Sequence, residues 1–481
     1  MRWCVVVLWL ASASAIAQDP QESPLHAELR REGERAGDAC KFDFKAIPMC
    51  GYTLFTDHPL HIAAGSMPPQ NGFGLGGAFV WSKNTRNWRL SWDFDAVGAT
   101  SGAWRAGGYM KLIHTPHPPK PKIEVVIPGA AESEPSAPAK AGRVNSSEPF
   151  THPYTVFNFY AQSISLNKLN YFGEGNDTTL AGASLFGMTQ TIVGANAIKP
   201  VYEWPAIRKL NLALLGEING RFVNLRGDEG QSAPSIETLY TNATAPGLGS
   251  QSGFVQLSQG VRISPDTGDY LKLNYMGSFQ EFFAPSSSTN SFLRWTADLN
   301  HTINLYGHAK TATSSTDQHG PDSCQHVNDK CPEIPHSRNL NGFVTARLLL
   351  SESINSATSA VPFYFQRSLG GQDINGDLTL GSYQDYRFRA PNILLLQGSA
   401  EHSIWGPFGL KFMADEGRVA LTRGDLGFSH LKHSFAAGLT LRAGAFPMVQ
   451  IMFAWGGPEG QHNIFNMNNS LLGGSMRPLL D

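Results

Sequence analysis

The chain has 481 residues, with 37 Lys and Arg against 39 Asp and Glu, a formal charge of −2, and 41% hydrophobic residues. That near balance gives no electrostatic case for a nucleic-acid partner or for strong binding to anionic lipid. Past residue 17 no uncharged apolar run reaches the ~20 residues a spanning helix needs, which excludes a helical membrane protein.

At the N-terminus Met1-Arg2-Trp3 leads into an apolar run from Cys4 to Leu10 and then to Ala15-Ile16-Ala17. A charged start, a short apolar core and a small-residue end predict residues 1–17 as a secretory signal peptide, with Gln18 as the mature start. Residues 18–71 read as a short periplasmic segment, polar and charged, with one short helix over 26–39 and too few residues for a typical independent domain. Cys40, Cys50, Cys324 and Cys331 remain after the leader, and an even set in an exported chain predicts disulfides. Local pairs, Cys40 with Cys50 and Cys324 with Cys331, are the simplest of the three connectivities four cysteines allow. His319, His326 and His336 around the second pair raise a metal site as the alternative, but the spacing fits no standard zinc pattern, and no metal or cofactor is expected.

From Gly72 the texture becomes strand-like. In Trp88-Arg89-Leu90-Ser91-Trp92-Asp93-Phe94 the apolar residues alternate with polar ones, a period of two with one apolar and one polar face. Tyr154, Val156, Phe157, Phe159 and Ala161 against Thr155, Asn158 and Tyr160 form a second run, and Leu271, Leu273, Tyr275 and Gly277 against Lys272, Asn274, Met276 and Ser278 a third. Similar runs recur over 290–305, 341–351, 391–403, 407–421, 432–443, 446–455 and 461–472. Between them lie polar or Pro-rich loops: 116–150, expected to be flexible, then 224–251 and 307–339. Roughly 400 residues from Gly72 onward, at about 25 per tilted strand with its share of loop, predict roughly 16 strands. The expected fold is an all-β transmembrane antiparallel barrel over residues 72–481, since closure alone removes unpaired strand edges from lipid.

The last quarter carries an ordered set of motifs. Pro362-Phe363-Tyr364 leads to Leu369-Gly370-Gly371, then Leu380-Gly381-Ser382-Tyr383, Arg387-Phe388-Arg389, a strand with Glu401, and Ala414-Asp415-Glu416-Gly417. In this order they resemble the BamA/TamA-type outer-membrane superfamily, which includes barrel-assembly insertases and two-partner secretion transporters. Phe172-Gly173-Glu174-Gly175-Asn176-Asp177 is similar to a further segment of that family. The resemblance implies that residues 369–389 form a loop folded into the lumen, with Leu369, Gly370, Gly371, Leu380, Tyr383, Arg387 and Arg389 as its motif. It implies Glu401, Asp415 and Gly417 as the acidic wall facing that loop. The family has an arginine at the loop tip where this chain has Gly381, so Arg387 or Arg389 is the expected partner of Glu401 or Asp415. Large members carry repeated periplasmic domains ahead of the barrel, and this chain resembles the short, barrel-only branch.

No catalytic signature holds: there is no Gly-x-Ser-x-Gly elbow, no His-Glu-x-x-His pair and no phosphate loop. Asp373-Ile374-Asn375-Gly376-Asp377 begins like a calcium loop but lacks its glycine at the sixth position, so a plain turn is expected. His402 beside Ser403 would project to the opposite side of a strand and reads as a lumen-edge histidine, not half of a catalytic pair. The resemblance implies a non-enzymatic outer-membrane barrel that assembles, inserts or translocates polypeptide, with outer-membrane lipid and unfolded polypeptide clients as partners. The alternative is a passive channel or surface-exposed structural barrel without polypeptide handling.

Overall fold

A computed structural model describes residues 59–115 (without 86), 154–201, 210–227, 233–313 (without 269) and 335–467 (without 357, 406, 407, 444 and 445). The expected leader, the loop over 116–150 and the four cysteines expected to pair lie outside the described residues. The chain divides into two compact units, Met1–Ile62 and Ala63–Asp481. The second holds nearly all the described structure.

The first strands are β1 (Leu60–Ser66), β2 (Phe73–Asn84), β3 (Trp88–Ala99), β4 (Trp104–His114), β5 (Val156–Tyr171), β6 (Ser184–Pro200), β7 (Ala213–Gly227), β8 (Phe254–Ile263) and β9 (Leu271–Phe283). Then come β10 (Phe292–Thr313), β11 (Pro335–Ile354), the short β12 (Arg367–Leu369) and β13 (Phe388–Ala390), β14 (Asn392–Trp405), β15 (Phe408–Ala420), β16 (Lys432–Ala443), β17 (Phe446–Gly457) and β18 (Gly460–Met467). Sixteen of them form one nearly closed sheet in chain order, with β1 and β18 at its ends, while β12 and β13 pair apart as a two-stranded sheet. The ladders from β2 to β18 are antiparallel between chain neighbours, β11 passing directly to β14.

Alternation decides which side chains enter the barrel. Directly opposed residues in an antiparallel ladder share a face. Asp93 opposes Tyr109, Tyr109 opposes Tyr160, Tyr160 opposes Gly194, Gly194 opposes Asn219, and Asn219 opposes Gln256, so a largely polar row crosses the inner face from β3 to β8. Asp95 is 4% exposed on that inner face, while its neighbour Phe94, on the outer face, is 50% exposed. Phe222, Leu257, Ile451 and Phe465 are likewise exposed and apolar. Such an outer wall is stable against hydrocarbon and unfavourable against water. No described helix is long and apolar enough to cross a membrane.

Two strand boundaries differ from expectation. The first strand starts at Leu60, ahead of Gly72, because the short run Leu60-His61-Ile62-Ala63-Ala64 carries too little alternation to stand out. β10 and β11 continue to Thr313 and from Pro335, so the expected loop over 307–339 is partly a hairpin. Its polar sequence hid a ladder that needs no apolar face.

Inside, an aromatic cluster fills one region of the lumen. Phe363 and Phe365, just before β12, are buried among Tyr171, Phe186, Phe254, Phe282 and Phe292 from the wall. Their rings meet edge-on, Phe186 with Phe363 at 5.2 Å and Phe254 with Phe365 at 4.8 Å, the arrangement that aromatic quadrupoles favour. This packing fixes the base from which the loop between β12 and β13 departs.

Candidate functional site

The β12–β13 hairpin opens on Leu369-Gly370-Gly371. Both glycines adopt left-handed backbone, φ 105° and 61°, and a Cβ on Gly370 would lie 2.5 Å from the Arg387 Cβ. Only glycine fits that combination. The turn lets the Tyr386 amide donate to Gly370 O at 2.9 Å and the Thr379 amide to Gly371 O at 2.9 Å, so the outgoing and returning chains close on each other. Further out, Asp373 Oδ1 accepts from the Asn375 and Asp377 amides at 2.8 Å each, and Gly376 has φ 84°. That is the plain Asp-turn expected of this stretch.

Residues 369–389 lie inside the barrel against the β14–β18 wall. At the tip the Leu380 amide donates to Asp415 Oδ2 at 2.9 Å and the Ser382 amide to Ser434 Oγ at 2.8 Å. From the wall, Gln397 Nε2 donates to Leu378 O at 2.9 Å and Asn466 Nδ2 to Gly376 O at 3.3 Å. Gly381 packs so closely that an added Cβ would stand 3.0 Å from Ile464 Cδ1 and 3.2 Å from Ala454 Cβ. Leu369 occupies the space a side chain at Gly417 would need, and the Tyr383 ring does the same at Gly457. Leu369, Leu380, Tyr383 and Phe388 are fully buried with Leu395 and Val419 in one cluster.

The ion pairing differs from expectation. Neither Arg387 nor Arg389 meets Glu401 or Asp415. Arg387 Nε donates to Glu459 Oε1 at 2.5 Å, with side chains 3% and 9% exposed, and its other nitrogens reach Thr178 Oγ1 and O at 2.6 and 2.7 Å. The same guanidinium lies over Phe388 at 4.7 Å and Phe172 at 4.9 Å. Arg389 Nη1 donates to Phe363 O at 2.8 Å and Gln366 O at 3.3 Å. Glu401 accepts from Thr440 Oγ1 at 3.3 Å. With no side chain at Gly381, the tip's main chain comes within hydrogen-bond distance of the wall, and Leu380 N–H reaches Asp415 Oδ2.

The segment that follows β5 completes the site. Gly173 and Gly175 have φ 91° and 107°, and the Gly175 amide donates to Arg389 O at 2.8 Å. Asn176 Nδ2 reaches His430 O at 3.1 Å and its Oδ1 accepts from the Val419 amide at 3.4 Å. Glu174 accepts from Gln366 Nε2, and burial pushes its carboxyl up to about 7 against the opposing pull of that hydrogen bond and of the Arg389 charge. The two motifs thus meet in space through Gly175 and Arg389, and Thr178, just past the first motif, meets Arg387 from 209 residues away.

Sequence reasoning missed Glu459, Thr178, Ser434 and Gln366. Only Glu459 left a trace, as an acid in the Gly-rich turn Gly456-Gly457-Pro458-Glu459-Gly460. His402 is exposed and meets the Tyr306 hydroxyl, whereas Glu401 and Ser403 are buried; the histidine faces outward and is not at the lumen edge. It and Ser403 sit on opposite faces of β14. Among the described residues no cluster of His, Cys, Asp and Glu has metal-binding geometry.

An antiparallel sheet of sixteen strands, polar within and apolar without, with a late loop folded inward, defines an all-β barrel of transmembrane type. No family model matches the chain, and no curated protein matches it. Solved structures with a similar fold include CdiB from Acinetobacter baumannii, at 9% identity and TM-score 0.46 over 85% of this chain and 59% of that one. CdiB from Escherichia coli is similar at 11% identity and TM-score 0.46, over 85% and 62%. BamA from Haemophilus ducreyi lacking POTRA domains 1–3 is similar at 10% identity and TM-score 0.46, over 85% and 69%. The chain spans less than two thirds of the length of either CdiB structure.

Proposed function

We propose that this chain is an outer-membrane barrel that handles unfolded polypeptide, as the insertion and translocation barrels do that its last quarter resembles. The observation that supports this reading most is the fastening of residues 369–389 to the inner wall by Leu380–Asp415 and Ser382–Ser434. A lumen occupied by a pinned segment suits controlled passage better than a standing pore, which needs a clear path. The apolar outer wall suits lipid, and the export signal read from residues 1–17 suits delivery to the outer membrane. Cys40–Cys50 and Cys324–Cys331 are assigned to aqueous-side staples in this reading, and no nucleic acid takes part.

The test is electrical. In a planar bilayer the purified protein should pass current that falls when a denatured exported polypeptide is added on one side. A steady conductance indifferent to polypeptide would put the passive channel ahead.

A further inference from the structure

β3 and β9 start at the end of the barrel where β2, β8 and β18 finish. The inner face carries four cations there. Arg89 is the second residue of β3, Lys111 lies towards the end of β4, Arg262 is the last residue but one of β8, and Lys272 is the second of β9. Strand alternation turns all four inward. Arg89 and Lys111 share the face of Asp93 and Tyr109, and Arg262 and Lys272 share that of Ser258 and Gln280. Arg89 is exposed and the other three are half-buried.

Among the described residues none of the four is paired with an acid. Arg89 and Lys111 stand diagonally across the β3–β4 ladder, Arg89 opposing Ile113 and Lys111 opposing Ser91, and their charges repel. Arg262 reaches the Met276 sulfur at 3.9 Å, a weak acceptor. The acids of the surrounding inner face are engaged by other residues. Asp93 acts on Tyr109, which it opposes, and Glu217 accepts from Tyr160 and from Asn219 at 3.0 Å. Arg347 holds Asp298 at 2.8 Å, and Glu401 accepts from Thr440 and directly opposes Lys411. In the β8–β9 turn, Asp266 accepts from the Gly268 amide at 3.3 Å.

Like charges set side by side cost stability, and an anionic guest removes that cost. A low-dielectric wall focuses their field into the lumen. The two pairs are four strand steps apart, from β4 to β8, roughly 19 Å along the wall at about 4.8 Å per step. A small anion does not touch both. An extended chain, rising about 3.3 Å per residue, spans them with about six residues.

We propose that this mouth binds acidic stretches of extended polypeptide, Arg89 and Lys111 taking carboxylates on one side and Arg262 and Lys272 on the other. The inference rests on the reading that the barrel handles unfolded polypeptide, and adds to it a preference by charge.

The experiment measures binding to the full chain in detergent by fluorescence anisotropy, with labelled deca-glutamate, deca-lysine and a neutral Gly-Ser decapeptide as probes. Deca-glutamate should bind about tenfold more tightly than either of the others, and the advantage should shrink as salt is added. Replacing all four cations with glutamine removes only charges without acid partners. A circular-dichroism melt of that variant should therefore match or exceed the parent's, while its affinity for deca-glutamate falls about tenfold, the sum of four exposed charge contacts. Lys111→Glu combined with Lys272→Glu is the second variant, and should turn the preference towards deca-lysine. Equal binding of the acidic and neutral probes by the parent overturns the proposal, and so does an acidic preference that the folded glutamine variant keeps. The bilayer measurement separates this failure from that of the underlying reading. If neutral and acidic denatured polypeptides lower the current alike, polypeptide handling stands and the charge preference falls; if neither does and no probe binds, both fall.

Discussion

The main-chain amide of Leu380 donates to the Asp415 side chain across 2.9 Å, both residues being buried, and this contact fastens the tip of the inward loop to the barrel wall. It stands where the resemblance implied an arginine-to-carboxylate pair. A peptide N–H supplies the donor for one of the two buried Asp415 oxygens.

Replacing Asp415 tests that contact. Asp415→Ala leaves the Leu380 amide buried without an acceptor, at a cost of about 1–3 kcal/mol. The loop should loosen, seen as faster proteolysis near Asp385 and a larger bilayer current. Asp415→Asn keeps an acceptor oxygen and should lie much closer to the parent. Equal behaviour of the two variants would show that the negative charge, not the hydrogen bond, holds the tip.

Placing at the loop tip the arginine that the resemblance implies should harm this protein. Gly381→Arg places a side chain where the first carbon already stands 3.0 Å from Ile464 Cδ1 and 3.2 Å from Ala454 Cβ. Overpacking of that kind costs roughly 1–3 kcal/mol. A lower melting temperature in detergent is expected, with Gly381→Ala nearly neutral because Ile464 can swing aside. A stabilised arginine variant would mean that the tip has an alternative seat.

Arg387 and Glu459 form a buried pair, and removing one partner strands the other. Arg387→Gln or Glu459→Gln alone should each cost on the order of 3–5 kcal/mol, with Arg387→Gln the worse because its Thr178 contacts go too. The double variant should cost less than the sum of the singles. Strict additivity in thermal denaturation would contradict a coupled pair.

Glu174 gives the loop base a pH dependence. Its folded carboxyl titrates at about 7 against an unfolded value near 4.5, burial being the main cause. Between those values the folded chain keeps a proton that the unfolded chain has released. Its contribution is therefore full below about pH 4.5 and is lost as pH rises through 7, at about 1.4 kcal/mol per pH unit. Melting temperatures should fall from pH 5 to pH 8, and Glu174→Gln should flatten that slope and raise stability at pH 8. An unchanged slope in the glutamine variant would assign the titration to another group.

How much of this was written in the sequence depends on range. The faces of β3 follow from its own alternation, Trp88, Leu90, Trp92 and Phe94 outward and Arg89, Ser91 and Asp93 inward, because the side-chain period of a strand is local. In β5 the same reading misplaced Val156, which is 1% exposed and shares the inner face with Asn158 and Tyr160. Consecutive apolar residues, Val156 and Phe157, cannot both face outward. The inward loop was legible only through the resemblance its motifs carry, and the left-handed backbone at Gly370 and Gly371 gives the physical reason for two of those residues. Its partners were not: Glu459 and Thr178 meet Arg387 only through the register of distant strands, which no local pattern encodes.

The Leu380 and Ser382 fastenings are made by peptide groups, and that changes where the information for them is stored. Every amino acid except proline brings an N–H, so the two hydrogen bonds themselves make no demand on the side chains at 380 and 382, and Leu380 is held apolar by its buried neighbours instead. The chemical specification has passed to the receiving side, to Asp415 and Ser434, and to the smallness of Gly381 that permits the approach. A barrel of this design is recognised by reading its wall; a search along the loop for a cation looks on the wrong side of the bond.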